Sequence, residues 1–442
     1  MRVSVRVVTA AAAAGLVATV VAVWIGSGLA DPGPPGAGQV LYVSNTSGSG
    51  LAGPGVPPDL DLGPGPLPAP PHPPVPGGLH GCASAAYTTI GAAVAAASPN
   101  DTIVVCPGVY TEDVVIPAGK PLTLEGIGDP TIDALGKDNG VQVLASGSTV
   151  EGLTVAYATG EGILVGALPG NPGTTVRDVT IRDNVVADND RGNPTGALTS
   201  SSPYAECNQA PGNIPGDCGE GIHLLSADDS TVDGNWVTGN SGGILLTDEN
   251  GPTDGNEISN NETFSNAEDC GITLAGHHAG TLSNGVWSPV SPTLGGVFDN
   301  TVEENTSLDN GVLGQGGGVL LATGAPGGAV DDNIVRHNTL SGNGLAGVTV
   351  HAHGPGENLN GNTIRDNTIG TNNLDGDDDF APSVDAQTTG VVVATKSSPI
   401  AITIEGNRIA FDTYGIWTTG PVTDTTGPPP NTFVGVTTPT FP

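Results

Sequence analysis

The 442-residue chain is strongly acidic, with 45 Asp and Glu residues against 11 Lys and Arg and a net charge of −34. A field of that sign repels nucleic-acid phosphates, so we expect no nucleic-acid partner. Aromatic residues are only 4 % of the chain, while glycines number 69 and prolines 38. We therefore expect a core made of thin layers of small aliphatic side chains.

Residues 1–30 have the pattern of an export signal. Two arginines precede an apolar run that ends near Ile25, and small residues follow up to Ala30. This pattern predicts a secretory signal peptide. Because the apolar run is long, an uncleaved signal anchor is the alternative. We expect a secreted, extracellular or cell-envelope protein whose only membrane contact is through this segment.

Two features precede the main domain. Residues 31–80 form a Pro/Gly-rich lead in which QVLYVS (39–44) predicts one short strand. Residues 87–101 place Ile90 and Val94 on one helical face. A single amphipathic helix before a long run of strands predicts a cap over the apolar end of a β domain.

Residues 81–425 contain a repeat with a period of about 22 to 29 residues. Each copy has asparagines five residues apart, followed by a Gly-[Ile/Val]-x-[Leu/Val] strand. The asparagine sets are 235/240, 256/261/266, 300/305/310, 333/338/343 and 362/367/372, with a partial copy at 184/189. A unit this small cannot bury its own apolar face, so units must stack. We predict an all-β parallel β-helix with three strands per coil and structural Asn/Gly corners, followed by a Pro/Thr-rich tail at 426–442.

The Asn/Gly corners, the Gly-Ile-x-Leu strands and the opening segment YTTIGAAVAAASPNDTIVVCPGVYTEDVVI resemble secreted right-handed parallel β-helix proteins of the pectin-lyase-like superfamily. The short-repeat group that includes the accessory protein of nitrous oxide reductase is the most similar. The resemblance covers roughly residues 82–420 and implies a right-handed coil. It says little about function, because the superfamily contains lyases, epimerases, hydrolases, adhesins and many members without an assigned activity.

The five cysteines suggest a disulfide pattern that an exported chain permits. Their spacing predicts the pairs Cys82–Cys106 and Cys207–Cys218 and leaves Cys270 alone. Cys270 stands beside an apolar strand, where a free cysteine usually behaves as a small buried hydrophobe.

Polar residues follow the repeat strands on several coils. They are Asp228 and Asp229, Asp248 and Glu249, His277 and His278, and His351 and His353. Stacked coils lie about 4.8 Å apart. We therefore expect Asp248 and Glu249 beside His277 and His278. Asp228 and Asp229 are then one coil away on one side, and His351 and His353 two coils away on the other.

Insertions at 190–219, 279–296 and 372–388 interrupt the repeat next to these strands. We expect them to wall a groove, because loops on a rigid repeat are where binding function concentrates. Trp287 lies in one of these insertions and is a candidate for stacking on a sugar ring.

Three interpretations remain open for this edge: acid–base catalysis, a metal site, and strand-end residues without a special role. In a uronate lyase or epimerase, His277 and His351 are candidate catalytic bases and Asp248 is the orienting carboxylate. The candidate substrate-binding residues are His278, His353, Glu249, Asp228, Asp229 and Trp287. Hydrolysis needs a pair of carboxylates, and we find no Arg-x-Lys or Asn-Thr-Asp motif to support it. The histidines with Asp248 also have suitable donors for zinc or copper. The third interpretation gives these strand-end residues no special role.

The stretch LDGDDDF (374–380) is a candidate calcium site, because oxygen-rich loops suit calcium. Its ligands would be Asp375, Asp377, Asp378 and Asp379. The sequence supports no other cofactor firmly.

Together these features predict a secreted monomer that acts on or binds extracellular polysaccharide. If it is an enzyme, a lyase or epimerase is favoured over a hydrolase. One alternative is a non-catalytic envelope protein that binds glycans or a partner, and the other is a metal-handling accessory protein.

Overall fold

The computed structural model describes residues 38–45, 79–167, 175–189, 219–312, 316–374 and 387–441. The predicted parallel β-helix is confirmed: short strands from successive coils pair in parallel into three long sheets. We call them sheet 1, sheet 2 and sheet 3, in the order in which the chain visits them.

In the described residues sheet 1 has twelve strands. They are Val40–Val43, Thr102–Val105, Thr123–Gly126, Thr149–Glu151, Thr180–Arg182, Thr231–Asp233, Glu257–Ser259, Thr301–Glu303, Ile334–Arg336, Thr363–Arg365, Ile400–Glu405 and Val422–Thr425. Sheet 2, over the same ranges, has eleven. They are Val109–Tyr110, Thr131–Asp133, Thr154–Ala156, Val185–Ala187, Trp236–Thr238, Glu262–Phe264, Thr306–Leu308, Thr339–Ser341, Thr368–Ile369, Arg408–Ala410 and Thr432–Val434.

Sheet 3, counted over the described ranges, has eleven strands and contains the Gly-[Ile/Val]-x-[Leu/Val] segments. They are Val114–Ile116, Val141–Val143, Ile163–Val165, Glu220–Leu225, Gly242–Thr247, Ile272–Gly276, Val319–Thr323, Val348–Ala352, Thr389–Thr395, Tyr414–Thr419 and Thr438–Phe441. Short parallel strands after sheet 3 form a partial fourth side at Val176–Arg177, Ala227–Asp228, Thr253–Asp254, Val297–Phe298 and Val330–Asp331. An antiparallel hairpin, Thr281–Ser283 with Val286–Ser288, lies in the insertion at 279–296.

The aliphatic composition explains the core. Successive side chains of a strand alternate between faces, so Ile244 and Leu246 point inward and lie fully buried beside Ile272 and Leu274 of the next coil. The core is therefore a stack of Val, Ile and Leu layers. The residues between them, such as Leu245, point to the outer face of sheet 3.

The repeated asparagines form hydrogen-bonded ladders at the corners. Asn261 Nδ2 donates to Asn305 Oδ1 at 3.0 Å, and Asn305 Nδ2 donates to Asn338 Oδ1 at 3.0 Å. The backbone amide of each asparagine donates to the same oxygen of the next coil, and Asn305 Nδ2 also donates to the carbonyl of Ile258. These buried asparagines satisfy the corner backbone, as predicted.

The N-terminal cap forms as expected. The main helix is Ile90–Ala96, and Thr89 caps it by accepting a hydrogen bond from the amide of Ala92. A one-turn helix, Leu79–Cys82, precedes it. The predicted strand in the lead forms at Val40–Val43 and begins sheet 1 by pairing with Thr102–Val105.

The cysteine predictions are tested in part. Cys82 and Cys106 form a disulfide, and Cys270 is free and buried. Cys207 and Cys218 lie outside the described residues.

The parallel stack continues past residue 425, where we expected a tail. Thr432–Val434 pairs with Arg408–Ala410, and Thr438–Phe441 pairs with Tyr414–Thr419. Threonine and phenylalanine suit a strand, so the last turn of the coil uses the segment that proline content alone suggested was irregular. None of the helices in the described part of the chain has the length and apolarity needed to cross a bilayer.

Candidate functional site

The register of sheet 3 fixes the levels of the histidines along the strands. Ala275 pairs with Ala322, and Ala322 pairs with His351. His351 is therefore level with Ala275, two residues before the level of His277, and the continuation of the strands gives that level to His353. As expected, His351 and His353 lie two coils beyond His277 and His278, with the strand Val319–Thr323 between them.

Asp248 orients the backbone around the histidine pair. Its carboxylate accepts hydrogen bonds from the amides of His277 at 2.6 Å, His278 at 2.9 Å and Gly296 at 2.5 Å. Burial, followed by the charge of Glu249, raises the pKa of Asp248. The Asp248 carboxylate thus hydrogen-bonds to the backbone at both ends of the insertion at 279–296 and holds these ends against its own coil.

The side-chain partner of His277 is Glu249. Their Nδ1 and Oε1 atoms lie 2.5 Å apart, and the side chains are 14 % and 12 % exposed. Burial acts to raise the pKa of Glu249, but the charge and hydrogen bond of His277 outweigh it and lower that pKa to about 2. Glu249 is therefore ionised at neutral pH and holds the ring of His277, which suits a positioned acid–base pair.

The other histidines lie nearby but have different partners. His278 Nδ1 lies 3.0 Å from the carbonyl of Ala279. His353 Nδ1 lies 3.1 Å from the carbonyl of Thr323, and its ring meets that of His351 edge to face at 5.6 Å.

Asp228 and Asp229 belong to the partial fourth side. Asp228 pairs with Arg177 at 2.9 Å, while burial and the neighbouring Asp254 raise its pKa to about 7. Asp229 is exposed at a turn with φ 50°. Neither is part of the cluster around His277.

The insertion at 279–296 folds over the following coil. The amides of Gly280 and Val290 donate to the carbonyls of Pro326 and Gly327. Trp287, on the hairpin, is half-buried, and its backbone approaches Gly356 closely. The insertions at 190–219 and 372–388 lie largely outside the described residues, as do Asp375, Asp377, Asp378 and Asp379.

A buried cluster on the outer face of sheet 3 was not predicted from the sequence. Glu161, Glu220 and His223 each offer a ligand atom, and these atoms all lie within 4.8 Å of one another. The three residues are 1 %, 1 % and 0 % exposed. The pairing of Ile163 with Ile222 brings Glu161 and Glu220 side by side on adjacent coils.

Hydrogen bonds fix the ring of His223. Its Nδ1 lies 3.1 Å from Glu161 Oε1, and its Nε2 lies 2.8 Å from Thr247 Oγ1. The Thr247 hydroxyl in turn hydrogen-bonds Glu249. When Nε2 carries the proton and donates to Thr247, the lone pair of Nδ1 faces the two carboxylates. The same chain of contacts connects the buried cluster to His277.

A signal in the sequence could have revealed this cluster. The tetrapeptide GEGI occurs at 160–163 and again at 219–222. It places a glutamate at the same buried corner of two consecutive coils, and the second copy continues into His223. A buried carboxylate at a corner needs a partner, so two copies in succession make this corner a candidate site.

The fold and the buried cluster define a right-handed parallel β-helix protein with a candidate metal-binding face. The model of one family, described as "Periplasmic copper-binding protein (NosD)", matches residues 147–376. That match covers more than half of the chain, and the chain belongs to the NosD family. No curated protein sequence matches it.

Several solved structures are similar to the chain. An alginate lyase from a Paenibacillus species is 13 % identical, with a TM-score of 0.43 over 80 % of this chain and 94 % of that one. The Azotobacter vinelandii mannuronan C-5 epimerase AlgE6 A-module is 17 % identical, with a TM-score of 0.43 over 79 % and 94 %. The catalytic domain of a GH87 alpha-1,3-glucanase is 12 % identical, with a TM-score of 0.44 over 81 % and 65 %.

Proposed function

We propose that this chain is a metal-handling protein that binds one divalent transition-metal ion, copper(II) above all, through Glu161, Glu220 and His223. The observation that carries the proposal is the convergence of these three buried ligand atoms within 4.8 Å. The family description, periplasmic copper-binding protein, supports the choice of metal.

The residues fit such an ion. Imidazole nitrogen suits copper and zinc, and carboxylates complete mixed nitrogen–oxygen sites. Glu161 Oε2 is buried and has no hydrogen-bond partner. Thr247 Oγ1 lies 2.8 Å from His223 Nε2 and accepts a hydrogen bond from it when Nε2 carries the proton, which is how a second residue commonly fixes the ring of a histidine ligand.

The bound ion supplies positive charge to a face crowded with carboxylates. The ligand atoms for the ion would be carboxylate oxygens of Glu161 and Glu220 and Nδ1 of His223. Thr247 would stabilise the His223 tautomer that has its proton on Nε2. The burial of all three ligands excludes water and favours retention of the ion. We also propose that the chain is exported, in agreement with the export-signal pattern of residues 1–30 and with the Cys82–Cys106 disulfide.

The test is metal binding by the purified chain after chelator treatment. Titration with copper(II), followed by calorimetry and electron paramagnetic resonance, is expected to show one tight site with nitrogen hyperfine structure. Glu161→Gln and His223→Gln are each expected to weaken binding by about 10- to 100-fold or more. His278→Gln is the matched control, because that ring is more exposed and lies outside the cluster. The proposal fails if the wild type binds no copper or zinc, or if the control loses as much affinity.

A second candidate function, a polysaccharide lyase or epimerase, is favoured by the His277–Glu249 pair. An ionised carboxylate at 2.5 Å makes His277 a positioned base for removing the proton beside a uronate carboxylate. Unsaturated-uronate assays across a polysaccharide panel, with and without calcium, test it. No turnover excludes catalysis. Glycan retention that survives the double variant His277→Ala, His351→Ala would indicate a non-catalytic binder instead.

A further inference from the structure

The direction of one hydrogen bond in the candidate metal site depends on a residue outside the three-residue cluster. Thr247 Oγ1 lies 2.8 Å from His223 Nε2, and the same hydroxyl group hydrogen-bonds the carboxylate of Glu249. A hydroxyl group carries a single proton, and an ionised carboxylate only accepts hydrogen bonds. Thr247 therefore donates to Glu249, and its oxygen accepts from His223, which requires a proton on Nε2.

His277 keeps Glu249 in the ionised state that this arrangement requires. His277 Nδ1 lies 2.5 Å from Glu249 Oε1. Burial acts to raise the pKa of Glu249, but the charge and hydrogen bond of His277 outweigh it and lower that pKa to about 2. A protonated Glu249 could donate to Thr247 and reverse the hydrogen bond to His223, so the contact with His277 removes that alternative at neutral pH.

The position of Thr247 on the coil leaves Glu249 without a competitor along the sheet. Thr247 is fully buried, and its carbonyl accepts a hydrogen bond from the amide of Ser226 at 2.8 Å. The residues at its level on the two adjacent coils are Leu225 and Ala275, whose side chains have no hydrogen-bonding group. The direction of the Thr247 hydroxyl is therefore set by Glu249.

We propose that Glu249 is a positioning residue of the metal site: through Thr247 it keeps a proton on Nε2 of His223 and so presents the Nδ1 lone pair to the ion. The inference rests on the proposed function, in which His223 Nδ1 is a ligand. Partners that fix the ring of a histidine ligand commonly change metal affinity by about 10- to 100-fold. The role involves no substrate and is independent of any acid–base role of His277.

Zinc binding to the full chain, measured by competition with a chelator, tests the effect on affinity. Thr247→Val removes the hydroxyl at nearly constant shape and is expected to weaken zinc binding by about 10- to 100-fold, whereas Thr247→Ser should retain most of the affinity. Glu249→Gln is expected to weaken it by about 10-fold, because an amide can donate as well as accept and no longer fixes the hydroxyl.

Glu357→Gln is the matched control for the change of charge. It neutralises another buried glutamate that interacts with a histidine, His353, on a different coil. We expect zinc affinity within about 2-fold of the wild type in this variant, because Glu357 has no contact with Thr247. A loss equal to that of Glu249→Gln would overturn the inference.

A double-mutant cycle shows whether Glu249 acts through Thr247. If it does, Glu249→Gln has no further effect on zinc affinity in the Thr247→Val background. An equal loss in both backgrounds would mean that Glu249 attracts the ion by its charge alone, and this would overturn the inference. Zinc affinity that neither substitution changes would also overturn it. In both cases the proposed function stands.

The proton on His223 can also be observed without a metal, by nitrogen NMR on the chain with isotope-labelled histidine. We expect a proton on Nε2 of His223 that exchanges slowly with water, and faster exchange in Glu249→Gln; the variant His223→Gln assigns the signal. If the chain binds neither zinc nor copper and this dependence is observed, Glu249 still positions His223 and only the proposed function fails. An Nε2 without a proton in the wild type overturns the inference.

Discussion

Buried polar residues occur in two very different settings in this molecule. Along the corners, asparagines repeat on consecutive coils, and each amide is bonded to the coils on both sides. On the outer face of sheet 3, Glu220 and His223 occupy the levels that Gly242 and Leu245 fill on the next coil, and the buried Oε2 of their neighbour Glu161 has no hydrogen-bond partner. A buried asparagine that repeats on every coil stabilises the fold. A buried polar residue that breaks the pattern is a candidate for function.

The largest effect is expected from breaking a ladder. Asn305→Ala leaves the amide of Asn261 and the carbonyl of Ile258 buried without their partners. We expect the free energy of unfolding to fall by about 2–4 kcal/mol, measured by chemical denaturation. Copper binding should be unchanged. Asn284→Gly, at an exposed turn, is the control. An equal loss of unfolding free energy in that variant would show that the ladder asparagines stabilise the fold no more than a surface asparagine does.

The next prediction distinguishes the structural roles of two neighbouring carboxylates, Asp248 and Glu249. Asp248→Ala removes the acceptor for three backbone amides at the ends of the insertion. We expect a loss of about 1–3 kcal/mol and faster proteolysis within residues 279–296, followed by mass spectrometry. Glu249→Gln should leave the insertion protected, because it changes only a side-chain contact. Equal cleavage in both variants would contradict the assigned role of Asp248.

Stability is expected to depend on pH through three buried carboxyl groups. Burial raises the pKa values of Asp228, Glu357 and Asp412 to about 7. The folded state therefore binds protons more tightly at these groups, and the free energy of unfolding falls as the pH rises from about 4 to about 7. We predict a higher Tm at pH 5 than at pH 8. Glu249 acts oppositely: its stabilising contribution is lost as the pH falls from 4.5 towards about 2. A Tm that rises steadily from pH 5 to pH 8 would contradict this.

The smallest effect concerns the end of one ladder. Asp412 stands where an asparagine would continue the column, and its Oδ1 accepts from the amide of Asn372 at 3.1 Å while Oδ2 has no partner. Asp412→Asn is expected to stabilise the protein at pH 8 by up to about 1 kcal/mol and to have little effect at pH 5. The comparison of denaturation curves at both pH values checks it. Destabilisation at pH 8 would show that the asparagine does not fit the column.

The fold was predictable because its determinants are local and repeated. The spacing of Asn256, Asn261 and Asn266 and the strand at Gly271 indicate the coil directly. The candidate site was predictable only in part. Adjacency of Glu249 and His277 followed from coil order, whereas the level of His351 depended on strand lengths that the repeat does not specify. The cluster at Glu161 and His223 was missed because a histidine within a Gly-Ile-x-Leu strand has the position of an ordinary strand residue.

The most direct test of a metal on this face is anomalous X-ray diffraction at the copper edge, from crystals of the copper-loaded chain. The account predicts one strong peak bounded by His223 Nδ1, Glu161 and Glu220, which vanishes in crystals of Glu161→Gln. No peak on the outer face of sheet 3, or peaks only at exposed histidines such as His278 or His337, would contradict it.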